Sequence, residues 1–366
     1  MLEISNLKKK KIFILSSFGH AGIDWISSLF DNHPEILIIP SLSFFRKIEK
    51  IKLKEKKFDK YNDYEKIKIF CDSLLKQSKK KSLRLKLRKI NKVNLYKNII
   101  KIFDKVNEAE FEKKLFYAVH YYFIKLYNLK LKKIKIIICH EHAPWNCKNY
   151  LKYFNAKLIT VIRDPRAAIS GSFRGYQRSK ILSLTHRLEM TFCFLFHSIK
   201  NFNKYYQNNL YLISNEKFNK NLSKEMKKLS KWLNINFKNS MLKQTFLGRI
   251  WHGESSYKSK TDLKYKVEKN YYKSKNVETR WLEYLNNEEI KFIEINFRQI
   301  FKIGNYKKKF NLSFFEKTYV QIKFIIMVNF FKKKNEILKI NYIKIFIKKF
   351  LLIFLREKYN FFFKLI

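Results

Sequence analysis

Three short stretches carry residues able to do polar chemistry, each directly after an apolar run. The first, IFILSSFGHAGIDWI, sets Gly19, His20, Ala21, Gly22, Ile23 and Asp24 between a strand-like and a helix-like segment. Glycines at 19 and 22 let the backbone turn sharply and come close to a ligand. The first N–H groups of a following helix then point at that ligand, and such a turn holds phosphate or sulfate. The Lys-Ser/Thr ending of a Walker A loop is missing, so ATP or GTP hydrolysis is not expected. A protonated His20 can offset charge on a bound phosphate, whereas Asp24 repels it unless a basic group pairs with it. An ordinary strand–turn–helix is the plain alternative.

The second stretch, KIIICHEHAPWNC, offers Glu141 and His142. A neutral imidazole can take a hydroxyl proton near pH 7; a purely structural His142 is the alternative. Cys139, His140, His142 and Cys147 raise the question of zinc. Their spacing is not a standard zinc pattern, and strand alternation sends Cys139 and His140 to opposite faces, so no metal is expected. The third stretch, KLITVIRDPRAAISGSFRGY, places Arg163 and Arg166 after a buried run, with Pro165 suited to a helix start. Both arginines are expected at the carboxyl edge of a sheet, where α/β proteins bind ligands. Guanidinium forks suit phosphate oxygens, and Ser170 or Ser172 can add hydrogen bonds. Against this stands a helix cap by Asp164 with solvated arginines.

The elements that must position these groups are legible as periodicities. Apolar runs at Ile12–Leu15, Ile36–Ile39, Ile134–Cys139, Leu158–Ile162 and Leu210–Ile213 read as buried parallel strands. Helical patterns lie at Ile23–Phe30, Arg166–Phe173, Ser183–Phe202, Leu222–Leu233 and Asn287–Phe301. Alternation of the two predicts an α/β fold, a central parallel sheet flanked by helices. Residues 45–130 read as a lysine-rich helical insertion, a natural place for acceptor specificity. His33 is expected in the last turn of the helix that Pro34 stops, as a structural residue. The main domain is taken as 1–313. Residues 314–366 form a basic tail in which Ile340, Ile343, Phe346, Ile347, Phe350 and Leu351 recur at helical spacing. An amphipathic helix on an anionic membrane and a helical hairpin packed on protein are both open for it.

Composition bounds the function classes. With 366 residues, 46% apolar and 17% aromatic, the chain has enough apolar residues for a real core, which argues against intrinsic disorder. Four cysteines without CxxC spacing exclude a disulfide scaffold and point to a reduced, cytoplasmic protein. Neither a signal-peptide core nor an uninterrupted membrane-length apolar stretch is present. The net charge of +49 attracts nucleotides, anionic lipid and nucleic acid alike. Since Lys, Ile, Asn and Phe are over-used together, as A/T-rich codons would produce, charge alone decides nothing.

The glycine stretch resembles the phosphosulfate loop of the sulfotransferases, relatives of the P-loop nucleotide-binding fold. Many bacterial and Golgi members read roughly G-x-x-R-S-G-T-T-L-L and then L-x-x-H-P; here Phe30, Asp31, Asn32, His33 and Pro34 fill the second part. The usual Lys or Arg is His20, and the two hydroxyl positions are Ile23 and Asp24. The third stretch resembles the family's R-[DN]-P-[RK] site for the donor's 3′-phosphate. Arg163 carries over directly. The serine usual eight residues on is Gly171, between Ser170 and Ser172, with Ser170 favoured. His142-Ala143-Pro144 is similar to the H-x-P of K-T-H-x-P, where the histidine removes the acceptor's proton. Spanning roughly residues 10–305, the resemblance implies a sulfotransferase with 3′-phosphoadenosine 5′-phosphosulfate (PAPS) as co-substrate and no metal. His142 is then the base, Glu141 the fallback, and His20 the group that offsets charge on the departing phosphate. Gly19 to Asp24, Arg163, Ser170, Ser172 and, from a weaker match in RWLEYLNNEE, Arg280 would hold the donor. A carbohydrate or lipid-linked glycan is the expected acceptor, tail contact with the inner face of the membrane stays open beside the packed hairpin, and no specific nucleic acid is expected. A non-catalytic nucleotide-binding relative and a basic membrane- or nucleic-acid-binding protein are the alternatives from other classes.

Overall fold

A computed structural model describes residues 2–17, 20–39, 42–79, 92–142, 147–177, 210–246, 248–250 and 277–332. In chain order its elements are α1 (Leu2–Lys8), β1 (Lys11–Ser17), α2 (Ile23–Phe30), β2 (Ile36–Ile38), α3 (Phe44–Lys54), α4 (Asp63–Lys79), α5 (Lys92–Phe103) and α6 (Phe111–Leu126). Next come β3 (Ile136–Glu141), α7 (Cys147–Tyr153), β4 (Lys157–Ile162), α8 (Pro165–Gln177), β5 (Leu210–Ser214), α9 (Asn215–Lys220) and α10 (Leu222–Leu233). The ribbon β6 (Thr245–Phe246) and β7 (Arg249–Ile250) follows, then α11 (Asn287–Asn296), α12 (Arg298–Gly304) and α13 (Phe314–Lys332). The chain groups into two compact units, Met1–Arg163 with Asn201–Val277, and Asp164–Lys200 with Glu278–Ile366.

The first unit is built on a five-stranded, all-parallel sheet in the order β2-β3-β1-β4-β5. All five expected strands form. Each is a nearly continuous apolar run because parallel strands are covered on both faces. Alternation along β1 and β3 divides the interior. Ile12, Ile14, Ile137 and Cys139 face one cluster, with Phe44, Phe70, Phe116 and Tyr150 of the helical insertion and α7. Phe13, Leu15, Ile136 and Ile138 face the other, with Ile23, Ile26 and Leu29 of α2 and Met226, Leu229 and Leu233 of α10. The insertion is helical as expected, carrying α3 to α6.

Two expectations shift. Asn32 takes a left-handed backbone (φ 60) just past α2, so His33 lies beyond the helix rather than in its last turn. It is still structural: Nδ1 accepts the Glu35 N–H (3.1 Å), Nε2 donates to the Asn236 carbonyl (2.9 Å), and burial lowers its pKa. The single helix expected over Asn287–Phe301 is two, α11 and α12, meeting at Phe297.

In the second unit α11 starts with a capping box, Asn286 with Glu289, and α13 packs on it through Gln321 Nε2 to Asn296 Oδ1 (3.0 Å) and Lys323 to Glu288 (3.3 Å). The first part of the tail is thus a packed helix. The amphipathic register at 340–351 and the helix expected over Ser183–Phe202 lie outside the described residues. Among the described residues, no helix is long and apolar enough to cross a membrane.

Candidate functional site

Parallel pairing aligns the ends of β1 and β3, with Leu15 opposite His140 and Ser16 opposite Glu141. Past β1 the chain turns through His20, Ala21 and Gly22 into α2; Phe18 and Gly19 lie outside the described residues. Gly22 caps α2 in the left-handed region (φ 90, ψ 27), and a Cβ there would stand 2.3 Å from Asn215 Nδ2. Only glycine fits both the angle and the space. Asn215, buried at the start of α9, donates from Nδ2 to the Ala21 carbonyl at 2.7 Å and pins the turn. Asn219 Nδ2 holds Asn215 Oδ1 at 2.8 Å. Nothing local marks Asn215 in the sequence, which lies 194 positions from Ala21.

Asp24 lies in the first turn of α2 and faces two imidazoles from the end of β3. Its Oδ1 is 3.6 Å from His140 Nε2 and 3.9 Å from His142 Nε2, and the two ring nitrogens are 3.1 Å apart. The side chain of His140 is fully buried, while that of His142 is 34% exposed at the rim. Two imidazoles thus stand beside Asp24, the carboxylate expected to repel a bound anion, and each offsets its charge only when protonated. The sequence signal for His140 is the His-x-His spacing, which puts both rings on one face where the alternation of β3 continues one residue past its end.

Glu141 goes the other way. It is fully buried on the opposite face of β3, and its charge acts on Cys139, Cys147 and Tyr150. Burial first, and this carboxylate second in two of the three, push both thiols and the phenol up. The structure does not bring Glu141 together with His142. Cys139 and Cys147 share that far face as free buried thiols, so the zinc set considered with them does not form. Metal is nonetheless not excluded by the residues, because Asp24, His140 and His142 present three ligand atoms to one another.

Arg163 follows the last residue of β4, half-buried, with Nη2 3.4 Å from the Val277 carbonyl. Arg166, expected as a second guanidinium for phosphate, is engaged by carboxylates. Its guanidinium is buried within the second unit between Asp164 (2.6 Å) and Glu294 (2.5 Å), over the rings of Trp281 and Phe301. Asp164 also accepts the Arg166 N–H (2.9 Å), the helix cap considered from sequence, but the arginine it was paired with is not solvated. Ser170 is buried in α8 of the second unit and donates to the Ala167 carbonyl at 3.2 Å. Ser172 lies one turn short of the end of α8, and Arg280 opens a 3₁₀ turn, Arg280–Glu283; both side chains fall outside the described set.

No family model matches the chain, and no curated protein matches it. Among solved structures it is similar to the sulfotransferase domain of an olefin synthase from Synechococcus, at 12% identity and TM-score 0.44, covering 82% of this chain and 95% of that one. The sulfotransferase domain from the curacin biosynthetic pathway aligns at 13% identity and TM-score 0.45, covering 81% and 98%. A sulfotransferase from Mycobacterium avium aligns at 12% and 0.35, covering 66% and 68%. Identities and TM-scores this low show similarity and carry no function.

Proposed function

We propose that the protein is a sulfotransferase that moves a sulfuryl group from PAPS to a hydroxyl or amine of a carbohydrate or lipid-linked glycan. One observation supports this above the rest. The imidazole of His142 stands against the first turn of the helix that follows the glycine turn, within 3.9 Å of Asp24. An anion held by backbone N–H groups at the start of α2 then lies beside a group able to take a proton. In this reading PAPS supplies the sulfuryl group as substrate. The chain's own residues do the rest: the turn at His20 to Gly22 holds the phosphosulfate, His142 takes the acceptor proton on Nε2 in exchange for its contact with His140, and Arg163 meets the 3′-phosphate. A protonated His140, 3.6 Å from Asp24, would offset that carboxylate.

Calorimetry with adenosine 3′,5′-bisphosphate tests the donor site. Arg163→Ala is expected to weaken binding by at least about 10-fold, since a charge-assisted hydrogen bond contributes about 1.5–3 kcal/mol. His142→Ala is expected to leave binding intact and slow transfer by about 100- to 10,000-fold. Nucleotide binding without a sulfated product from any acceptor would instead indicate a non-catalytic relative. Salt-sensitive polyanion binding that survives Arg163→Ala would reduce the protein to its charge. For the tail we propose contact with anionic lipid, which requires liposome co-sedimentation to weaken when residues 314–366 are removed.

A further inference from the structure

We infer that Asp24, His140 and His142 form a binding site for a divalent transition cation of the zinc class. Three ligand atoms, Asp24 Oδ1, His140 Nε2 and His142 Nε2, stand 3.1, 3.6 and 3.9 Å from one another. A point equidistant from three atoms so placed lies about 2.1 Å from each, the length of a zinc–imidazole or zinc–carboxylate bond. Tetrahedral ligands on such bonds are about 3.3–3.5 Å apart, so sub-ångström side-chain adjustments complete the geometry. Two imidazoles with one carboxylate select zinc and its neighbours over magnesium or calcium, which take oxygen ligands.

Two of the ligands sit on regular elements and the third directly follows one. His140 is held by the pairing of β3 with β1, His142 is two residues on along the same face, and Asp24 is set by the first turn of α2. Three protein ligands are the number found in catalytic zinc sites, where water takes the fourth position. Without a cation, the 3.1 Å contact needs one imidazole to donate its N–H to the lone pair of the other. A cation replaces that shared proton. The positive field of the chain acts at long range and is screened beyond about 8 Å at physiological salt, so it opposes adventitious cation uptake more than chelation by three ligands.

Binding stands on this geometry alone. Its consequence rests on the sulfotransferase reading: a cation on His142 Nε2 occupies the lone pair that would accept the proton, so metal occupancy and base catalysis exclude each other.

The test is a cobalt(II) titration of the full chain, purified without a histidine tag and stripped with chelator. One equivalent should bind with the strong visible absorption of four-coordinate cobalt, and zinc should displace it. Asp24→Ala and His142→Ala, both at partly exposed positions, should each weaken uptake by more than about 100-fold, beyond the loss caused by removing an outer partner of a ligand. A weak six-coordinate spectrum, or uptake unchanged in Asp24→Ala, would overturn the site. Adenosine 3′,5′-bisphosphate binding on the same samples scores the other reading separately, so nucleotide binding without cobalt uptake sinks the metal site alone.

Discussion

Replacing Arg166 with methionine separates a buried structural cation from a ligand for phosphate. The guanidinium hydrogen-bonds Asp164 from Nε (3.0 Å) and Nη2 (2.6 Å), Glu294 from Nη1 (2.5 Å) and the Lys307 carbonyl from Nη2 (2.9 Å). It also lies 4.2 Å from the centroid of Trp281 and 4.9 Å from that of Phe301. Methionine keeps most of the apolar stem, so the change isolates the charge. Two carboxylates only 6% and 2% exposed are then left without their cation. Removing one partner of a buried pair costs about 3–5 kcal/mol. Glu294 keeps the Lys309 and Phe310 N–H groups, and Asp164 keeps the backbone N–H of residue 166, so the lower end, about 3 kcal/mol, is expected. Urea denaturation followed by tryptophan fluorescence, which includes Trp281, should show a midpoint lowered by about 1–2 M for the transition that reports the second unit. Nucleotide affinity below that transition should be unchanged. An unmoved midpoint together with lost nucleotide binding would refute the argument and make Arg166 a phosphate ligand.

Gly22→Ala should destabilise by about 2 kcal/mol or more, combining a left-handed backbone with a Cβ against Asn215. Adding Asn215→Ala should recover part of that loss, a coupling that a double-mutant cycle in urea would measure; strict additivity would contradict the contact. His120 is fully buried, donates from Nδ1 to the Phe116 carbonyl, and has its pKa depressed to about 4, chiefly by burial. The unfolded chain therefore binds its proton first, so stability should fall as pH drops from about 6.5 toward 4, by about 3 kcal/mol in all. His120→Leu should flatten that window, and an unchanged pH profile of the urea midpoint would remove His120 as its cause.

The sheet is readable because both its faces are covered: Ile12 to Leu15 or Leu158 to Ile162 need no partner to be recognised as strands. Helix ends are readable where backbone chemistry is local, as at Gly22 and Pro165. Less visible are features fixed by distant chain. The strand expected from Ile134 begins at Ile136, because Lys135 is held by the Glu35 carbonyl, and it runs on to Glu141 through pairing with β1. Arg166 reads as a twin of Arg163 until Glu294, 128 positions away, arrives to bury it. The period of two puts Cys139 and His140 on opposite faces as expected, and the same rule unites His140 with His142. Asp24 completing that group is a consequence of how α2 lies on the sheet, which no local spacing encodes.

Strand β3 and the residue after it sort their side chains by parity, rings toward α2 and thiol and carboxylate toward the insertion. One codon inserted upstream of Cys139 within the strand would invert that sorting, presenting Cys139 and Glu141 to the glycine turn and sealing both rings inside. The segment from Ile136 to His140 should therefore tolerate volume-conserving hydrophobic exchange, but length change hardly at all.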